Sequence, residues 1–123
     1  MDPCPFCSVE RTRIWIQTEY AIAFANAYPV VDGHTLIVPR KHVSTIYELT
    51  IPQQKAIWEL VGEVRQRLLT GLTPARFSMG FTDTTKDGGS SAHAAVHLVP
   101  RRRGDRIKLP DGIEWVADDP LFV

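Results

Sequence analysis

His93-Ala94-Ala95-Val96-His97-Leu98-Val99-Pro100-Arg101 are the most informative nine residues of this chain. His93 to Val99 reads as a β-strand ended by Pro100. Side chains two apart in a strand share a face. Ala94, Val96 and Leu98 therefore make one wholly apolar face, as a core requires. His93, Ala95, His97 and Val99 make the other. At the usual rise of a strand the two imidazoles stand about 13 Å apart along the chain, flanking a gap at Ala95. Immediately upstream runs Gly88-Gly89-Ser90-Ser91, whose backbone N–H groups could hold a phosphate. Taken alone, these residues also fit a plainer reading, a strand with two polar outward positions.

Outward from this strand the chain alternates apolar runs with turn signals. Arg13 to Phe24 is rich in Ile, Trp, Tyr and Phe, interrupted by Gln17-Thr18-Glu19, and predicts two short strands joined by a turn. Asn26 to Gly33 is loop-like. His34 to Val38 predicts a strand that stops at Pro39. Thr50 predicts a helix N-cap, with Pro52 in the first turn and Gln53 placed for a capping box. Ala56, Ile57, Leu60, Val61, Val64 and Leu68 then follow at helical spacing as one apolar stripe, and Gly71 is placed to end the helix. Ala75 to Phe81 predicts a further strand. Ile113 to Val116 is a short segment among turn residues. Strands, one long helix and more strands, without βαβ alternation, predict an α+β fold with a mainly antiparallel sheet.

Composition narrows the function. The chain has 123 residues, enough for one domain that hides roughly two-thirds of its unfolded surface. Residues 1–123 are read as that single domain. Hydrophobic residues are 44% and charged residues 23%, which argues against disorder. Fourteen Lys+Arg against 14 Asp+Glu give zero formal charge, so no nucleic-acid partner is expected, and Arg101-Arg102-Arg103 reads as a solvated face. No apolar run approaches the ~18 residues of a membrane span. Met1-Asp2-Pro3-Cys4-Pro5-Phe6-Cys7 shows neither a basic nor an apolar leader region, so a cytoplasmic location is expected.

The two cysteines, Cys4 and Cys7, are spaced C-x-x-C. A redox pair, half of a zinc site and two idle thiols are all open. Two interleaved prolines and no preceding strand weigh against a redox pair. A zinc site needs two more ligands, and the four histidines are the obvious supply.

At this point the chain resembles the histidine-triad family of nucleotide hydrolases and transferases. Its signature is His-x-His-x-His followed by two apolar residues, often then Pro-Arg, and residues 93–101 are similar to it at all but one position. Asn26 and the run Pro29 to His42 are similar to a second block of the family, and Cys4-Pro5-Phe6-Cys7 to its amino-terminal zinc half-site. Arg103-Gly104-Asp105 through Gly112 to Val116 resembles the tail of a bacterial branch described as diadenosine-polyphosphate hydrolases. The resemblance implies a homodimer of the family's fold. It implies a structural zinc held by Cys4, Cys7, His42 and His93, anchoring a segment 1–12, with a C-terminal tail over 104–123. It implies an adenine-type nucleotide ligand, with Phe24 and Leu36 at the base, Asn26 at the ribose, Ser90 and Ser91 at the phosphate, His97 on phosphate oxygens and His34 behind it.

The sequence departs from the family at two places. The middle histidine of the triad is the family's nucleophile, and here that position is Ala95, whose methyl group cannot attack phosphorus. The chain as written is expected to be an inactive form. The retention of Asn26, His34, Ser90, His93 and His97 points to a deliberate change at one position; the alternative is a natural, non-catalytic nucleotide-binding module. The second departure is Gly89, where the family commonly carries glutamine.

Overall fold

The computed structural model describes residues 6, 7, 9–81, 93–110 and 113–116. Cys4, Gly89, Ser90 and Ser91 lie outside the described residues, so their assigned roles rest on sequence. Among the described residues the strands are β1 (Ile14–Gln17), β2 (Ala21–Ala25), β3 (Thr35–Pro39), β4 (Arg76–Phe81), β5 (Val96–Arg101) and β6 (Glu114–Trp115). They form one sheet in the order β1-β2-β3-β5-β4-β6, antiparallel throughout. The helix α1 (Ile51–Leu72) packs across β2, β3 and β5. The architecture is α+β, as the sequence predicts.

Strand parity builds the two faces. Ala21, Ala23, Ile37, Ala94, Val96 and Leu98 meet Ile57, Leu60, Val61, Val64 and Leu68 of α1 in the main core. The helical stripe read from the sequence is the buried one. Ile57 and Val64 are fully buried, and each such side chain contributes about 1.5–3 kcal/mol of burial. The intervening residues Ile22, Phe24, Leu36, Val38 and Ala95 form a second, smaller cluster on the opposite face.

The helix begins as predicted. Thr50 Oγ1 accepts from the Gln53 N–H at 3.2 Å, and Gln53 Oε1 accepts from the Thr50 N–H at 2.9 Å. It does not end at Gly71. The helix runs on to Leu72, and Thr73 takes the left-handed conformation at φ 46°. Its N–H bonds the Leu69 carbonyl at 3.1 Å, so the closing bond offsets a conformation that threonine seldom adopts.

The last long strand also differs from expectation. It starts at Val96 rather than His93 and passes through Pro100 to Arg101. At its start the Ala94 N–H turns to the Val43 carbonyl, at 2.6 Å, and the His93 side chain takes the Pro39 carbonyl, at 2.8 Å. These bonds replace the β3 ladder. At its end, pairing with β3 stops at Leu98 while pairing with β4 continues to Arg101. Pro100 therefore sits where β5 is paired on one side, which is where a strand tolerates a missing N–H.

Candidate functional site

The sheet face away from α1 collects the residues singled out by sequence. Register lines up Ile14, Phe24, Leu36, His97, Gly80 and Trp115 as one row across all six strands. His97 is central in that row, with Phe24 and Leu36 to one side. On the other side Gly80 carries no side chain, and the Trp115 ring reaches to 6.1 Å from the His97 ring. Trp115 itself is held by its Nε1–H on the Pro110 carbonyl at 3.2 Å.

The histidine tautomers follow from one backbone donor. The Val30 N–H can only donate, and it meets His34 Nδ1 at 3.2 Å. His34 must then carry its proton on Nε2, which lies 3.0 Å from His97 Nδ1. His97 Nδ1 accepts, so the neutral His97 ring holds its own proton on Nε2. The Asn26 amide sits beside this pair. Its Oδ1 accepts from the Tyr28 N–H at 3.1 Å, which turns Nδ2 towards His34 Nε2 at 3.4 Å. Both of those nitrogens carry hydrogen, so the pair is a contact rather than a bond.

Both imidazoles are kept neutral. Burial, and next the neighbouring His34, push the pKa of His97 from 6.5 to about 4. Burial lowers that of His34 as well, in keeping with its near-complete enclosure. A neutral donor aimed by a buried partner can stabilise charge without itself switching state near neutrality.

Beside His97 lies a cleft of about 270 Å³ lined by Phe6, Arg13, Phe24, Asn26, Tyr28 and Leu36. The Arg13 guanidinium carbon lies 5.5 Å from the centre of the Phe24 ring. Ala95 belongs to the same apolar cluster as Phe24 and Leu36 and is 2% exposed. Phe24, Leu36, Asn26, His34, Ala95 and His97 are thus brought to one face. Phe6, Arg13 and the Val30 N–H also belong to the site, and the sequence reading did not assign them. No local pattern flags them, because their roles depend on what the chain folds against.

A second cluster stands at the end of β3. Cys7 Sγ lies 3.1 Å from His42 Nδ1 and 3.5 Å from His93 Nδ1. The three ligand atoms lie within 4.8 Å of one another, close enough to hold a metal ion. The donor set is chemically suited to one. The bond from His93 Nε2 to the Pro39 carbonyl leaves the Nδ1 lone pair facing Cys7, the orientation that a metal-bound imidazole commonly shows. His42 Nε2 is buried without a hydrogen-bond partner among the described residues. His42 itself is half-buried.

Comparison with known proteins places relatives around this arrangement. Residues 8–104 match the family described as HIT domain. An uncharacterised 16.1 kDa HIT-like protein of Mycoplasma pneumoniae is 31% identical over 102 residues, covering 80% of this chain and 71% of that one. The asymmetrical bis(5'-nucleosyl)-tetraphosphatase of Schizosaccharomyces pombe is 26% identical over 94 residues. That match covers 76% of this chain and about half, 52%, of the relative. Among solved structures, a Zn-bound histidine triad family protein from Mycobacterium smegmatis superposes with a TM-score of 0.73. It is 19% identical, over 94% of this chain and 84% of that one, a likeness of fold.

Proposed function

Because the chain belongs to the HIT domain family, some of whose members are nucleotide hydrolases, we propose that it binds a nucleoside phosphate on the sheet face opposite α1, with adenine the favoured base. In this reading the base enters the cleft at Phe24 and Leu36. Asn26 meets the ribose hydroxyls, and the His97 Nε2–H donates to phosphate oxygens. Ser90, Ser91 and the amides of their loop complete the phosphate side. The observation that carries the reading is the relay from the Val30 N–H through His34 to His97. It aims one neutral donor beside an apolar slot, a combination that suits a ligand with a flat base and an anionic tail.

The reaction class is hydrolysis or transfer at the α-phosphate of a dinucleoside polyphosphate or a nucleoside phosphoramidate. An imidazole nitrogen at position 95 would form an N–P bond while the bond to the leaving group breaks, its electron pair departing with that group. Water would then break the N–P bond to release the nucleoside monophosphate. Ala95 has no lone pair to begin this sequence, so the chain as written binds without turnover. In the second reading, a natural nucleotide-binding module, Ala95 is a native member of the apolar cluster with Phe24, Leu36 and Val38.

Zinc belongs to the same proposal, held by Cys7, His42 and His93 with Cys4 as the fourth ligand. Four protein ligands leave no open position, so the ion would be structural and supply no step of the chemistry. What supports it is the fit of the donors described above.

Calorimetry with AMP and a diadenosine polyphosphate tests the proposal. Both should bind, and neither should be hydrolysed. Absence of heat at millimolar ligand would overturn the nucleotide reading.

A further inference from the structure

Phe6 belongs to two clusters at once. Its ring stands edge-on to the His93 ring with centres 5.9 Å apart, and tilted on the Phe24 ring at 5.6 Å. It lines the cleft with Phe24, Asn26 and Leu36, and packs on the apolar cluster that contains Ala95. Yet no strand or helix holds it; β1 begins only at Ile14. Its chain neighbour Cys7 lies against His42 and His93. A thiol is a weak hydrogen-bond partner, and a metal ion held by the same three atoms would tie Cys7 more firmly than these contacts do.

We infer that metal bound at Cys7, His42 and His93 sets Phe6 as a wall of the nucleoside cleft, so that metal and nucleotide bind with positive coupling. The inference rests on the nucleotide reading above. An aromatic wall in place before the ligand arrives contributes its full contact with a base. A wall that must first be ordered loses part of that contact to ordering entropy. Phe6 acts here as a positioning residue with no part in bond-making. Such coupling is reciprocal: the factor by which the metal tightens nucleotide is the factor by which nucleotide tightens the metal.

The test is AMP calorimetry on zinc-loaded and on chelated, desalted protein, paired with zinc competition in the presence and absence of AMP. Chelation should weaken AMP binding by at least about fivefold, part of what a full base–aromatic contact contributes. AMP should tighten zinc by the same factor. Phe6→Ala should keep stoichiometric zinc, lose at least about tenfold in AMP affinity and abolish the effect of AMP on zinc, while Phe6→Tyr retains both. Circular dichroism reports whether the chelated protein keeps its fold. If it does not, the loaded Phe6→Ala and Phe6→Tyr proteins decide. Wild-type AMP affinity in loaded Phe6→Ala, or equal affinity in folded loaded and chelated wild type, overturns the inference. A wild type that binds AMP but no zinc overturns it too, and leaves the nucleotide reading standing. No AMP binding by loaded wild type overturns both.

Discussion

His34 donates its Nε2–H to His97 Nδ1 across 3.0 Å, and the Val30 N–H on the far side of His34 admits no other arrangement. The proton on His97 Nε2 is thus determined by a backbone amide two hydrogen bonds away. With burial, this link explains why both rings stay neutral.

The pH dependence follows with a definite sign. His97 titrates at about 4 in the fold against 6.5 when free. Between those values the unfolded chain binds more protons, so stability rises with pH over that window and is complete above about 6.5. His34, also lowered, adds in the same direction. NMR titration of the ring protons should give an apparent value near 4 for His97. Urea unfolding should be weaker at pH 4.5 than at pH 7, and His97→Asn should flatten that slope. A His97 that titrates near 6.5 contradicts the relay.

Metal content is the second expectation. Protein purified without chelator should carry close to one zinc per chain. Cys7→Ser or His93→Ala should lose it and lower the melting temperature, since a structural site contributes folding energy directly. Near-zero zinc with freely titratable thiols would exclude the site.

Restoring the nucleophile is the third. Ala95 has the strand parity of His97 and lies on the face of the cleft. Ala95→His should raise hydrolysis of a diadenosine polyphosphate by orders of magnitude, with an acid-labile nucleotide adduct on the peptide carrying position 95. The close packing at this position predicts some loss of stability alongside the gain. His97→Ala added to Ala95→His should slow the reaction again. A folded, AMP-binding Ala95→His protein with no turnover of any phosphoanhydride or phosphoramidate would leave the binding module as the function.

Gly33 offers a test of how His34 is delivered. Gly33 has φ of +94°, and a Cβ there would lie 2.7 Å from Leu72 Cδ1 and 2.9 Å from Pro100 Cγ. The same turn places the His34 N–H on the Val31 carbonyl at 3.1 Å. Gly33→Ala should cost about 2 kcal/mol in denaturant unfolding, from strain and overpacking together. It should also move the His97 titration towards 6.5 as the relay loosens. An unchanged protein would mean that the turn is not what holds His34.

Much of this was legible in the sequence because it depends on local rules. Period two sorted Ala94, Val96 and Leu98 from Ala95 and His97, and period 3.6 with a capping box located α1; both patterns report which side a residue faces wherever the core lies. The motif at residues 93–101 named the family, and the absence of an imidazole at Ala95 is a statement about composition. Tertiary structure decided what depends on partners distant in the chain. Thr73 rather than Gly71 closes the helix because a bond to Leu69 offsets the left-handed backbone. Strand β5 starts at Val96 because the His93 ring takes the Pro39 carbonyl 54 residues away. The His97 tautomer follows from Val30, and the cleft has its wall because Phe6 packs against Phe24. Periodicity encodes the face a side chain presents, but a hydrogen bond or ring contact across dozens of residues exists only once the sheet has set its register.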